Sequence, residues 1–335
     1  MNKKDLRIVY LGTPDISAIV LEHLLSAGYN IVAVVSQEDK PVGRKQIIMP
    51  TPVKEVALKH NIPVFQPKKI RLDFNFLYEF KPDILLTMAY GQIIPHAVLE
   101  IPTIKALNLH GSLLPKYRGA SPIQASLFNG DKQTGVTLME MVDEMDAGNM
   151  FYKTVINIDQ NDNYDTLKTK IALSAVTCFD EGIEKIINEH YNGEVQDLSQ
   201  VSFTKKIKAE DQLLSFNEST DSIVNKIRAL TSDPGAYFIY KNEKIKVQKA
   251  SVESFKNGLI PGKIFNYNKS GLYIETTDGV IRIEILQKPG KKPTAIKDFY
   301  NGNQSFFNIG EIINAGNWIK RTSTCWFCFK KRRYW

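Results

Sequence analysis

Hydrophobic positions in the first half of the chain come in short runs separated by helix-length stretches of mixed polarity. Residues 6–11 (Leu-Arg-Ile-Val-Tyr-Leu) and 31–36 (Ile-Val-Ala-Val-Val-Ser) are apolar at most positions, the pattern of strands buried on both faces of a parallel sheet. Between them Gly12-Thr13-Pro14-Asp15 predicts a turn into a helix running to about Ala27, with Thr13 or Asp15 as the cap and Pro14 near the first turn. Crossover helices over 52–60 and 71–80 flank a short strand at 62–65, and residues 83–89 predict the next central strand. A strand at 106–110, a helix at 121–129, an alternating strand at 134–142 and a long helix from Asn163, its cap, to about His190 continue the series. This alternation predicts an α/β fold: a doubly wound, mostly parallel, Rossmann-like sheet with right-handed crossovers over residues 1–190.

After residue 190 the pattern changes. Residues 191–208 are polar and read as a linker. A helix at 219–230 is followed by five short runs at 237–240, 244–252, 262–267, 271–276 and 280–285, with turn residues between them, which predict a small β-barrel within a second domain, 209–319. Residues 320–335 form a basic, aromatic tail expected to be disordered.

With 335 residues there is room for two domains, and 43% hydrophobic content suits real cores. The net charge of +7 misleads, because six basic residues lie in the last sixteen positions without an acid, leaving about +1 for the rest. Residues 209–319 hold fourteen basic and twelve acidic residues, so nucleic-acid attraction there needs clustering, for which Lys288, Lys291 and Lys292 are candidates. Three cysteines, Cys178, Cys325 and Cys328, make no disulfide framework. There is no cleavable leader pattern, and no apolar run reaches the roughly 18 residues that span a bilayer. A soluble, cytoplasmic protein is expected, with no metal, since the five histidines are scattered.

The densest chemistry lies at 108–122, Asn-Leu-His-Gly-Ser-Leu-Leu-Pro-Lys-Tyr-Arg-Gly-Ala-Ser-Pro. Asn108 and His110, two apart on a strand, share a face. Gly111, Pro115, Gly119 and Pro122 then carry the chain over a strand end, where open α/β sheets take their ligands. Gly12 stands alone where a dinucleotide fingerprint needs three glycines, and reads as a crossover turn. Tyr90, just after a central strand, suits either a core aromatic or the wall of a planar-ligand pocket. Residues 37–52 carry three prolines and no apolar periodicity. They read as a long structureless loop whose Lys40, Arg44 and Lys45 either meet phosphates or stay solvated. On charge alone Asp143, Glu144 and Asp146 are a solvated corner. Cys325-Trp326-Phe327-Cys328 resembles half a zinc knuckle without a second ligand pair.

Asn108-x-His110 followed by Ser112-Leu113-Leu114-Pro115 and a glycine, with Asp146 in Asp-Glu-Met-Asp-Ala-Gly-Asn, resembles the folate-dependent formyltransferases. Residues 112–124 carry the S-L-L-P-x-x-R-G-A-x-P-I-Q form of the branch that acts on initiator tRNA. Gly43-Arg44 and Thr51-Pro52-Val53-Lys54 resemble that branch's acceptor-entering loop, with Thr51 in place of serine. The likeness runs from Leu11-Gly12-Thr13-Pro14 through Pro234-Gly235-Ala236-Tyr237 to about residue 310. Asn149 departs from the aspartate usual after the glycine.

The resemblance implies a catalytic formyltransferase domain with a carboxyl-terminal OB-like barrel that helps hold tRNA. It implies 10-formyltetrahydrofolate as co-substrate and initiator methionyl-tRNA as partner, in translation initiation, with the chain expected to be a monomer. Catalysis falls to Asn108, His110 and Asp146. Formyl transfer passes through a tetrahedral intermediate, for which Asn108 supplies a neutral donor, His110 a hydrogen bond or proton shuttle, and Asp146 the carboxylate behind it. Folate is implied along Met88, Ala89, Tyr90, Gly91, Gln92 and Ile93 and against Ser112, Leu113, Leu114 and Pro115. Lys40, Arg44, Lys45, Arg118 and Lys206 are the implied tRNA contacts. Rival readings are a small amine acceptor, such as glycinamide ribonucleotide or an amino-sugar nucleotide, a non-enzymatic RNA-binding protein on this scaffold, and, more distantly, a nucleotide-dependent dehydrogenase.

Overall fold

The computed structural model describes residues 3–42, 46–255 and 258–313, and the chain divides into two compact units between Ile207 and Lys208. In the first, β1 (Arg7–Gly12) leads through α1 (Asp15–Ser26) to β2 (Asn30–Val35). A hairpin of β3 (Lys40–Val42) and β4 (Ile47–Met49) follows, then α2 (Pro52–Lys59), β5 (Val64–Phe65), α3 (Leu77–Phe80), β6 (Ile84–Met88) and α4 (His96–Leu99). Next come β7 (Lys105–His110), β8 (Arg118–Gly119), α5 (Pro122–Phe128), β9 (Gln133–Glu140), β10 (Met150–Asn157), α6 (Tyr164–Asn188) and β11 (Phe203–Thr204).

The main sheet has the order β10-β9-β7-β6-β1-β2-β5. The five strands from β7 to β5 are parallel, as expected, and β9 and β10 run antiparallel at one edge. One face buries Val9, Leu11, Ala33, Val35, Leu85 and Ala106 with Ile70, Leu77, Tyr90 and Val98. Helix α6 buries Leu167, Ile171, Ala175, Phe179, Ile183 and Ile186 on a stripe at helical spacing. Its start is a reciprocal cap, Thr166 N donating to Asn163 Oδ1 at 3.1 Å and Asn163 N to Thr166 Oγ1 at 3.0 Å.

Several sequence expectations need correction. Pro14 is the residue before α1 and neither Thr13 nor Asp15 caps it; Thr13 Oγ1 instead donates to the Tyr90 carbonyl at 2.8 Å. The stretch 37–52 is not structureless, because Val42, Ile47 and Ile48 are strong strand formers and pair in the β3–β4 hairpin. The helix expected over 71–80 shrinks to α3, with Phe74 and Phe76 ahead of it packing on the same core as Leu77 and Phe80. Strand β10 was not anticipated. The linker expected at 191–208 is docked as far as residue 204: Glu194 bridges Met150, and β11 pairs with β8.

The second unit holds a 3-10 turn (Glu210–Gln212), α7 (Thr220–Ala229), β12 (Ala236–Tyr240), β13 (Glu243–Phe255), β14 (Ile264–Asn268), β15 (Gly271–Glu275), β16 (Gly279–Gln287), β17 (Thr294–Ala295) and α8 (Ile296–Asn301). Its antiparallel order is β12-β13-β16-β15-β14, with β17 added on β16. Register shifts in the β13–β16 pair bend the sheet. The gap between β12 and β14 is spanned by coil: Tyr240 Oη donates to Glu311 Oε2 at 2.7 Å, Ile264 N to the Glu311 carbonyl at 2.8 Å, and Phe307 packs on Phe238, Tyr240 and Tyr267. The expected barrel is therefore closed by residues 303–313, with β17 and α8 as additions.

Candidate active site

Strand register assembles the site at the carboxyl edge of the main sheet. Gly12 lies beside Met88, Thr87 beside Asn108, and His110 beside Thr137. The chain builds outward from β1 to β2 and β5, then returns to β6 on the other side, so the β1–β6 border is the switch point where such sheets bind ligands. Gly12 is required sterically: a Cβ there would sit 1.8 Å from Ser17 Oγ, which explains the glycine without any phosphate.

His110 is 6% exposed, and its Nε2 lies 2.9 Å from the Tyr117 carbonyl. A carbonyl only accepts, so this contact puts the proton on Nε2 and leaves the Nδ1 lone pair free in the neutral ring. Nδ1 faces Asp146 Oδ1 at 3.7 Å, beyond direct hydrogen-bond length. A donor entering that gap meets two acceptors at once. Asp146 is held by its other oxygen, which accepts from Gly119 N at 2.7 Å, and sits in the left-handed region at φ +52°. Asn108 is half-buried and its side-chain amide makes no hydrogen bond among the described residues. Its N–H groups are free to donate.

The signature loop is braced from below. Ser112 is fully buried, and its Oγ donates to the Lys116 carbonyl at 2.6 Å. Thr137 Oγ1 donates to the Ser112 carbonyl at 2.7 Å and accepts from Leu114 N at 3.1 Å. Tyr117, whose carbonyl holds His110, has its own N–H on Ser202 Oγ at 2.9 Å and its hydroxyl on Asp131 Oδ2 at 2.6 Å. Burial, then the Asp131 contact, pushes that hydroxyl well above the usual tyrosine range, so it stays a donor.

Family models agree with this architecture: one described as formyl transferase matches residues 6–181, and one described as formyl transferase, C-terminal domain, matches 206–304. A methionyl-tRNA formyltransferase of Lactobacillus johnsonii is 41% identical over 310 residues, covering 91% of this chain and 98% of its own. The chain belongs to the methionyl-tRNA formyltransferase family. A second relative with that name, from Malacoplasma penetrans, is 40% identical over 92% of this chain and 97% of its own. Among solved structures, the N-formyltransferase from Helicobacter canadensis, in complex with folinic acid and dTDP-3-aminofucose, shares the fold, with a TM-score of 0.63 at 22% identity over 84% of this chain and 99% of that one.

For a methionyl-tRNA formyltransferase family member, the residues that sequence reasoning proposed separate into three groups. His110 and Asp146 face each other across the 3.7 Å gap, and Asn108 lies two residues along the same strand as His110. Of the expected folate residues, Ala89, Gly91 and Ile93 are exposed, and Gln92 and Leu113 are half-buried. Ala89 and Gly91 are left-handed at φ +52° and +90°. Met88, Tyr90, Ser112, Leu114 and Pro115 are buried and support the surface from beneath. Tyr90 is a core aromatic, although its hydroxyl and Thr87 Oγ1 are buried without a partner. The exposed residues 89, 91 and 93 leave the surface at this strand end open to a planar ligand such as a pterin.

Of the expected tRNA residues, Lys40 and Lys206 are exposed, and Arg44 and Lys45 lie outside the described residues, as does the 320–335 tail. Arg118 is a correction. It is 2% exposed, with Nε on Gln196 Oε1 at 3.0 Å and Nη1 on Glu144 Oε1 at 3.2 Å, so its fork is occupied inside the protein and unavailable to RNA. Gln196 was missed. Its Nε2 donates to the carbonyls of Asp146 at 2.8 Å and Gly148 at 2.9 Å, clamping the turn that carries Asp146. A lone glutamine in a polar stretch carries no sequence signal of this. Lys288, Lys291 and Lys292 do cluster, lining a cavity of about 700 Å³, with Lys288 paired to Glu243 at 3.1 Å. Among the described residues no three His, Cys, Asp or Glu side chains group as a cation site, and no helix is long and apolar enough to cross a membrane.

Proposed function

We propose that this chain transfers the formyl group of 10-formyltetrahydrofolate to the methionine amino group of initiator methionyl-tRNA. Membership of the family supports the reaction, and the observation that carries the chemistry is the gap between His110 Nδ1 and Asp146 Oδ1. The incoming amine donates N–H groups to both acceptors, which orients its lone pair and gives its departing proton a place to go. As negative charge develops on the formyl oxygen, the Asn108 amide donates to it, in a site where His110 is nearly dry. Folate supplies the activated formyl carbon. Residues 88–93, with Leu113, hold it at the edge of the sheet.

The hairpin, with Lys40 exposed and Ile47, Ile48 and Met49 at 55%, 68% and 45% exposure, is the surface we assign to the acceptor end of the tRNA. The second unit is assigned to the body of the tRNA through its lysine cluster. Cytoplasmic location follows from that substrate. The deciding experiment is formyl transfer from 10-formyltetrahydrofolate to charged initiator tRNA, with glycinamide ribonucleotide and an amino-sugar nucleotide as parallel acceptors. Activity only on a small acceptor would sink the tRNA assignment while leaving the Asn108, His110 and Asp146 chemistry in place.

A further inference from the structure

The β3–β4 hairpin does not hold its own position. Its strands have three residues each and its apolar side chains at 47–49 face outward, so it has no core layer, and a two-stranded ribbon of that size is marginal alone. Its position is set at the root. Asp39, directly before β3, accepts from Lys54 Nζ at 2.6 Å and from Gln66 Nε2 at 2.6 Å. The same Lys54 ammonium donates to Gln66 Oε1 at 2.7 Å. On the returning leg Thr51 shares a 2.7 Å hydrogen bond with Ser36 and accepts from Lys54 N at 3.3 Å. Lys54 therefore touches both legs of the hairpin and the end of β5. Its pair with Asp39 is mostly shielded, at 23% and 25% side-chain exposure, and the Lys54 and Gln66 hydrogen bonds hold the Asp39 carboxyl below the usual range.

We propose that Lys54 is a positioning residue for the acceptor RNA: through Asp39 and Gln66 it fixes the orientation of the hairpin, and so the affinity for methionyl-tRNA, without touching the reacting atoms. This rests on the reading that the hairpin meets the tRNA. The network continues from Gln66 to the Gln37 carbonyl at 2.7 Å and from Gln37 Nε2 to the Tyr90 carbonyl at 3.2 Å, but that carbonyl has a second donor in Thr13 at 2.8 Å. The folate-side turn therefore stays in place when Lys54 is lost, and the effect is confined to the acceptor.

The test is steady-state kinetics and thermal melting of the full chain carrying Lys54→Met, Asp39→Asn, both together, Lys54→Arg, and Ile47→Ser/Ile48→Ser. Losing a shielded, charge-assisted contact is expected to raise KM for methionyl-tRNA about tenfold in Lys54→Met, with kcat and KM for folate within about twofold. The double variant is expected to be no worse than Lys54→Met, because both changes remove one contact, and Lys54→Arg to recover most of the affinity. An unchanged KM for tRNA overturns the inference, as does a parallel rise of both KM values with a lower melting temperature, which marks a merely structural residue. If Ile47→Ser/Ile48→Ser raises KM for tRNA while Lys54→Met does not, the hairpin reading stands and only the inference falls. If neither variant moves it, the hairpin reading has failed and takes the inference with it.

Discussion

At the scale of single residues, Asn108 is expected to carry rate and not stability. Asn108→Ala is expected to lower kcat by about 100- to 1,000-fold, the usual cost of an oxyanion donor, with melting nearly unchanged because its amide has no partner among the described residues. Stopped-flow formyl transfer and calorimetry on the same preparation check both halves. Gln196 behaves differently. It is 4% exposed and satisfies Arg118 and two carbonyls, so Gln196→Ala is expected to cost about 1–3 kcal/mol in urea unfolding and to lower kcat by loosening the Asp146 turn. Cys178 is fully buried in α6, which pushes its thiol up to about 12. In a chain with Cys325→Ser and Cys328→Ser, no thiol is expected to react with Ellman's reagent at pH 8 until the protein unfolds. Asp146 was picked out by the family resemblance, whereas the strand shared by Asn108 and His110 was legible in the sequence because a spacing of two is local. Gln196 and the burial of Arg118 were not, because their partners lie tens of residues away.

At the scale of elements, the start of α6 shows how local chemistry and pH are linked. Asp162, just before the Asn163 cap, accepts from Lys170 Nζ at 2.6 Å, Asp159 N at 2.8 Å and Thr166 Oγ1 at 2.9 Å. Burial alone would raise its pKa, but these hydrogen bonds outweigh burial and lower it. A depressed native pKa means that its stabilisation is complete above the ordinary aspartate value near 4 and is lost as pH falls through the lower native value. Asp162→Asn is expected to destabilise by about 1–2 kcal/mol at pH 7, with the difference shrinking toward pH 3 in urea titrations. The cap was readable because Asn163 stands before an apolar helical stripe. Strand β10 and the β3–β4 hairpin were not, since their pairing partners and not their own periodicity make them strands.

At the scale of the molecule, the chain forms two compact units, the first holding Asn108, His110 and Asp146 and the second the lysine cluster at 288–292. A chain ending at Ile207 is expected to bind folate within about threefold of the full protein, while its KM for methionyl-tRNA rises more than about tenfold and its dependence on salt weakens. Equilibrium binding and kinetics at two ionic strengths check this. The alternation of the central parallel strands with helices and the antiparallel, barrel-like second domain were determined by the sequence itself, because periodicity and caps act over a few residues. The tertiary structure alone decided that Asp146 faces His110 from another loop, that residues 194–204 brace the site instead of linking domains, that Arg118 turns inward, and that Lys54 anchors a hairpin. Those contacts join residues from about 15 to 86 positions apart. Which distant groups meet is chosen by the packing of the whole sheet, and no local pattern encodes it.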